Sequence, residues 1–323
     1  MALGVAAMMT SGCLHGAGSR RGPGDFSGSA SWDHVLALSR EGSRPPGSEG
    51  SARARGYIER SLRDSGASDL REVAFPLAPS GQAVHLLGVF PGASDDVLVL
   101  AAPYDTATPD PRGSVEAVRS VSGAALVLEV GRALSERPRP FTVWMIFLDA
   151  EARPVGVHPS RHRFQGSEHW AEVLATSGAL GRVRAMFYFD DVADPEHPVA
   201  RDMRSHGTYR DVFFEAAEDL GHEREFPRVG NVRSLHGGHR VLLGQDMRRV
   251  VAISGAPRLG KDSSEPARTV SSPSETLSAI GAVSVEAIDR IARQLEKVDA
   301  FSTSPTESGP QNSEFPQAKG EAQ

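Results

Sequence analysis

The sequence is poor in cysteine, in unbroken apolar runs and in excess basic charge, and each shortage removes a class of protein. With a single cysteine, Cys13, among 323 residues, no disulfide can form within the chain. No apolar run reaches the roughly 18 residues that a membrane-spanning helix needs, so no conventional span is expected. A net charge of −6 gives no basic footprint for a nucleic acid. Phosphate loops, nucleophile elbows and dinucleotide fingerprints are also missing. The segment Gly255–Lys261 (GAPRLGK) superficially resembles a phosphate loop, but its spacing is wrong and Asp262 follows the lysine. What remains is an ordinary soluble composition, 39% hydrophobic and 24% charged, in a chain long enough for one large domain or two smaller ones.

The one cysteine is informative by position. Met1–Gly12 is apolar and small, and Cys13 follows Ser11 and Gly12, which resembles the end of a bacterial lipoprotein signal. No Lys or Arg precedes the apolar run, and Thr10 stands where a leucine is usual, so an incidental cysteine in a disordered N-terminus is the competing reading. The first expects an exported, lipid-anchored protein of a bacterial envelope, touching membrane through its anchor alone. The second leaves a cytoplasmic protein.

The stretch Phe141–Ala152 (FTVWMIFLDAEA) organises the rest. Its first eight residues are apolar except Thr142, the pattern of a central strand covered on both faces, and it runs into Asp149 and Glu151. Around it, strands are expected near Leu70–Phe75, Ala83–Phe90, Val97–Ala102, Val183–Asp190 and Arg249–Ser254. Helices are expected at Ser31–Arg40, Gly50–Ser65, Ser122–Leu134, Gly166–Thr176, Tyr209–Leu220, Leu235–Leu243 and Ser274–Asp299. Residues 1–13 read as signal, 14–30 as a flexible tether, 31–299 as one domain, and 300–323, rich in Ser, Pro, Glu and Gln, as a disordered tail. The alternation of strands and helices predicts an α/β fold: a single domain with a mostly parallel or mixed central sheet flanked by helices on both faces.

In such a sheet, parallel strands deliver their C-terminal ends to one edge. Asp105, Asp149 with Glu151, and Asp190 with Asp191 would converge there, as a start for a metal site or an acid/base pair, or as turn and cap residues. Histidine would decide for zinc. None of the 11 histidines directly follows an expected strand. His158, His162 and His169 cluster after the central strand, and His236 and His239 flank two glycines. Surface or helix-entry roles compete with metal binding at each.

The order of elements resembles the zinc aminopeptidase and glutaminyl cyclase family, metallopeptidase family twenty-eight, over most of 36–297. GSRPPGSEG resembles its GPRxPGS loop, VLVLAAPYDT the strand leading to His-Tyr-Asp-Thr, and SVSGAALVLEVGRAL its Asp-x-Ala-Ser-Gly helix. FLDAEA resembles Asp-Gly-Glu-Glu, QGSEHWA the Gly-Ser-x-His that follows, and RAMFYFDDVAD the next strand. GHRVLLG resembles the Asp-His-x-Pro-Phe-Leu segment, and ARTVSSPSETLS the final His-Thr-x-x-Asp. The resemblance implies a three-layer zinc-exopeptidase-like sandwich. The long segment between Glu151 and Gly166 is more like the cyclases than the aminopeptidases.

The departures from the family pattern fall on its zinc ligands. The resemblance places Pro103, Arg119, Ala152 and Arg268 at ligand positions and leaves one ligand carboxylate, Asp190. It also implies that Glu151 keeps the general-base position, that Asp105 keeps the acid of Tyr-Asp-Thr, and that Gly238 replaces the acid before His239, which would border the cleft. Pro and Ala side chains cannot coordinate, and arginine stays protonated and repels a cation. No metal or other cofactor is therefore expected. Arg119 is expected to pair with Asp190 or Glu151, turning a catalytic site into an ion-pair network. The function expected is an inactive relative that binds peptide N-termini or an envelope protein, with Glu151 able to hold an α-amino group. The alternatives are an active aminopeptidase or cyclase rebuilt from His158, His162, His236 or His239, and a purely structural envelope lipoprotein. The sequence implies no oligomeric state.

Overall fold

A computed structural model describes residues 25–107, 115–153, 157–158, 162–245, 247–256 and 272–302. Cys13 and Arg268 lie outside the described residues, as do most of the tether and tail segments. The strands are β1 (Asp69–Pro76), β2 (Gln82–Phe90), β3 (Ser94–Pro103), β4 (Phe141–Leu148), β5 (Val183–Asp190), β6 (Arg201–Asp202), β7 (Val232–Arg233) and β8 (Val250–Ser254). The helices are α1 (Gly28–Arg40), α2 (Glu49–Asp64), α3 (Val115–Ser135), α4 (Gln165–Thr176), α5 (Gly207–Leu220), α6 (Gly238–Gly244) and α7 (Pro273–Ser302).

Six strands form one mixed sheet in the order β1-β2-β4-β3-β5-β8. β4, β3, β5 and β8 run parallel, and β2 is antiparallel to both its neighbours. β4 is buried throughout, and its alternation shows why the strand needs two cores. Phe141, Val143, Met145 and Phe147 face the layer of α1, α2, α3, α5 and α7, while Trp144, Ile146 and Leu148 face α4 and α6. The result is the three-layer α/β sandwich expected, with the C-terminal ends of β3, β4, β5 and β8 on one edge. Among the described residues no helix is long and apolar enough to cross a membrane.

Several boundaries differ from expectation, among them the start of β3 at Ser94 rather than Val97 and of α6 at Gly238 rather than Leu235. Gly28–Ala30, read as the end of a tether, form the first turn of α1, because Ser27 caps that helix through its hydroxyl and Gly28 lies against Ser278. The closing helix α7 runs on to Ser302 rather than stopping at Asp299. Helix α3 is already formed at Val115, seven residues before the expected start at Ser122. Its middle is buried all round, sandwiched between the sheet and the outer helices, so it lacks the apolar stripe by which an amphipathic helix declares its start.

Candidate functional site at the strand ends

Strands β3 and β4 end side by side. Pro103 is in register with Leu148, and the Tyr104 N–H donates to the Leu148 carbonyl at 3.0 Å, which carries the two chains together off the sheet. Asp105 then turns inward. Its carboxyl accepts the Glu151 N–H at 3.1 Å and the Ala152 N–H at 2.9 Å, closing the turn after β4. Ala150 within that turn has φ 61°, a left-handed conformation that a non-glycine residue holds only where its surroundings fix it. Asp149 is fully buried and accepts from the Val84 N–H and the Tyr104 hydroxyl, each at 3.0 Å. Arg55 reaches the Tyr104 hydroxyl at 3.3 Å, so helix α2 also ties into the network.

Glu151 stands on the other side of this turn. Its Oε1 accepts the Ser167 N–H at 2.6 Å, and its Oε2 accepts the Ser167 hydroxyl and the Tyr188 hydroxyl, each at 2.8 Å. Burial, followed by the nearby Asp105 charge, pushes its carboxyl up to about 8, even though the Ser167 and Tyr188 hydrogen bonds favour the charged form. Burial and the Asp149 charge push Asp105 up to about 7. Burial also raises Asp149 and the Tyr104 and Tyr188 hydroxyls. The cluster is thus three buried acids that resist ionisation, a poor setting for a base that must start charged.

The end of β5 corrects an expectation. Asp190 stays in the sheet, in register with Ser254, and is half-buried. Asp191 leaves the sheet with φ 50°, and Arg119 of α3 closes on it as a bidentate pair through Nε, at 2.8 Å, and Nη2. The bidentate partner of Arg119 is therefore Asp191, one residue beyond the expected Asp190, while the Glu151 oxygens are held by Ser167 and Tyr188. Burial opposes charge on Asp191, but Arg119 and His197 outweigh it and hold the carboxyl below the usual range. Gly123 allows α3 to come this close, since a Cβ there would lie 2.2 Å from the Phe189 carbonyl oxygen.

The histidines are dispersed. His162 contacts the Glu151 backbone carbonyl through Nε2 at 2.9 Å and packs on Phe164, which in turn packs on His236. His158 is exposed. His169 stacks on Phe75 at 4.2 Å between ring centroids. His239 is buried beside Tyr188, with Nε2 3.6 Å from Asp202, and burial pushes its imidazole down to about 4, so the contact is that of a neutral ring with a carboxylate. Among the described residues, no group of three or more His, Cys, Asp or Glu side chains is placed to hold a metal ion.

Sequence reasoning passed over Ser167, Tyr188, Asp202 and His85. His85 is a fully buried histidine inside β2 whose Nδ1 accepts the Asp149 N–H at 3.2 Å. A lone polar residue in an otherwise apolar strand was the available signal. A cleft of about 340 Å³ remains over the turn, lined by Asp105, Ala150, Ala152, His162, Gln165 and Leu77 among others.

The single α/β domain, with its mixed central sheet between helical layers, has a zinc-exopeptidase-like sandwich fold. The model of Peptidase family M28 matches residues 85–235. A glutaminyl cyclase from an Acidobacteriales bacterium superposes with a TM-score of 0.71 at 23% identity, covering 86% of this chain and 99% of that one. A leucine aminopeptidase precursor from Bacteroides thetaiotaomicron gives 0.65 at 16% identity, covering 82% and 97%. A Zn-dependent exopeptidase from Parabacteroides distasonis gives 0.67 at 18% identity, covering 82% and 98%. No curated protein matches the chain. Over residues 85–235 the chain is similar to the M28 peptidase family, and these solved structures share its fold.

The residues present do not fit the zinc that this family carries. Pro103 and Ala152 offer no side-chain donor, and Arg119, which the resemblance places at a ligand position, brings a guanidinium closed on Asp191. No catalytic step through a metal can be assigned to this donor set.

Proposed function

We propose that this chain is a degenerate member of its family that keeps the fold and the cleft, has lost zinc and catalysis, and works by binding. The observation that carries the reading is Arg119, whose fixed positive charge is paired with Asp191 where a metal-ligating carboxylate is needed. Among the described residues no group is placed to hold a metal that would polarise a scissile carbonyl or acidify a water. The cleft over Ala152 is the surface we assign to a peptide N-terminus or to a segment of an envelope protein. The small, apolar start of the chain before Cys13 supports export and acylation at that cysteine, which would hold the domain at a bacterial membrane. Glu151 is a poor candidate for holding an α-amino group, because it is buried and already accepts three hydrogen bonds from Ser167 and Tyr188.

The test is a pair of assays on the same purified protein with zinc supplied in excess. Aminoacyl-p-nitroanilide hydrolysis and N-terminal glutamine cyclisation should both stay at the buffer rate. A peptide library should be captured by the wild type and lost when Ala152→Trp fills the cleft. Turnover of either substrate class would instead favour a catalytic site rebuilt from other residues.

A further inference from the structure

Helix α4 begins without a cap of its own. Phe164 occupies the N-cap position and makes no side-chain cap hydrogen bond. The first turn of a helix leaves backbone N–H groups unpaired and carries partial positive charge, so a buried start needs an acceptor from elsewhere. Glu151 supplies it, taking the Ser167 N–H at 2.6 Å. Its other oxygen takes the Ser167 hydroxyl and the Tyr188 hydroxyl of β5. Glu151 is only 5% exposed, and Ser167 and Tyr188 are buried with it.

The niche that holds this carboxyl exists because residue 238 is glycine. A Cβ on Gly238 would lie 2.0 Å from the Glu151 Oε2, 2.2 Å from the Ser167 Oγ and 3.0 Å from the Tyr188 hydroxyl oxygen. The first two distances are shorter than any real contact, so a larger residue would drive the carboxyl out or push α6 away. Meanwhile the cleft is lined by Ala150 and Ala152, the residues on either side of Glu151. A general base must present a lone pair to water in the cleft, and this one is buried and gives three acceptor positions to α4 and β5.

We infer that Glu151 has been converted from a base into a structural cross-link that caps α4 and ties it to β5, and that Gly238 is the residue that makes room for it. This rests on the reading of the chain as having lost zinc chemistry, and it adds a second block that replacing the missing ligands would not remove. α4 contributes Trp170, Ala171 and Leu174 to the core on its side of the sheet, so the cap supports packing as well as one turn of helix.

The experiment compares thermal unfolding and amide exchange of the full chain with Glu151→Ala, Glu151→Gln, Tyr188→Phe and Gly238→Ala. A cross-link predicts that Glu151→Ala and Gly238→Ala each lower Tm by several degrees. Glu151→Gln should retain most of the wild-type value, because its carbonyl still accepts the Ser167 N–H and the two hydroxyls can turn to accept from its amide. Exchange at the Ser167 amide should accelerate in Glu151→Ala and stay slow in Glu151→Gln, a readout that general loss of packing would not produce. Combining Tyr188→Phe with Glu151→Ala should cost less than the two separately. Should Glu151→Ala fail to fold, the Gln variant, Tyr188→Phe and the exchange rates carry the test. An unchanged or raised Tm in Glu151→Ala, the behaviour of a poised catalytic acid, would overturn the inference. Zinc content measured on the same wild-type sample separates the two ideas. Bound zinc with a destabilised Glu151→Ala overturns the zinc-loss reading alone, and no zinc with an unchanged Glu151→Ala overturns the cross-link alone.

Discussion

Replacing Arg119 by methionine keeps most of the side-chain volume and removes the charge, so the variant isolates what the guanidinium does for Asp191. The side chains of this pair are 32% and 16% exposed, and the pair has bidentate geometry. Breaking a fully buried pair from one side costs about 3–5 kcal/mol, and an exposed pair is worth at most about 1 kcal/mol. The partial exposure here puts the loss at about 2–3 kcal/mol. In a domain of this size that corresponds to a fall in Tm of about 4–10 °C. Asp191→Asn is the matching partner change, because asparagine tolerates the left-handed backbone at φ 50°. The double variant should recover about 1–3 kcal/mol relative to the sum of the singles. The sign with pH is also set. Asp191 is held below its usual range in the folded state, so its pairing stabilises above the unfolded carboxylate pKa and is lost as acid titrates it in the native protein. The penalty of Arg119→Met should therefore shrink below about pH 4. Denaturant unfolding of the four proteins at pH 7 and pH 3.5 is the assay. A single-mutant cost under about 0.5 kcal/mol with no coupling, the range of an ordinary surface change, would refute the view that arginine neutralises this end of the site.

The buried acids and histidines give opposite pH slopes. Glu151 and Asp105 are raised to about 8 and about 7, so the native state holds protons that the unfolded chain releases, and stability falls as pH rises toward 8. His85 and His239 are lowered by burial, so on acidification below about 6.5 the unfolded state takes up protons first and stability falls in that direction too. The slope from the acids starts near the unfolded carboxylate pKa of about 4, so the two slopes offset each other up to about pH 6.5. Thermal melts should be nearly flat there and lose about 2–3 kcal/mol between about pH 6.5 and 8.5, and Glu151→Gln should flatten the alkaline limb. Fractionation of cells making the full chain should place it with membranes and Cys13→Ala in the soluble fraction. Identical partition of the two proteins would remove the anchor from the account.

The sheet was legible because its strands are nearly continuous apolar runs bounded by Gly, Pro and Asp, and because β4 admits no other reading. The strand-end acids were legible for the same reason: Asp105, Asp149 and Glu151 are the first polar residues after such runs, and the structure brings them together. What the acids do there was not legible. Ser167 lies 16 residues from Glu151 and Tyr188 lies 37 away, and no local pattern links them. Tyr188 and His85 are polar atoms inside apolar strands, where periodicity reads them as core. The bidentate partner of Arg119 is Asp191 where Asp190 or Glu151 was expected, because one acid ends β5 and a second follows it at once. Only the backbone turn at Asp191, outside any strand period, decides which of them swings toward α3.

The central claim is that a guanidinium and two non-ligating side chains, Pro103 and Ala152, have ended zinc binding on this fold. Elemental mass spectrometry of the untagged protein, purified without chelator and again after incubation with excess zinc and desalting, tests it directly. The account predicts far less than one zinc per chain in both samples, and no shift in Tm on adding zinc. About one or two zinc per chain, retained through desalting, would contradict it.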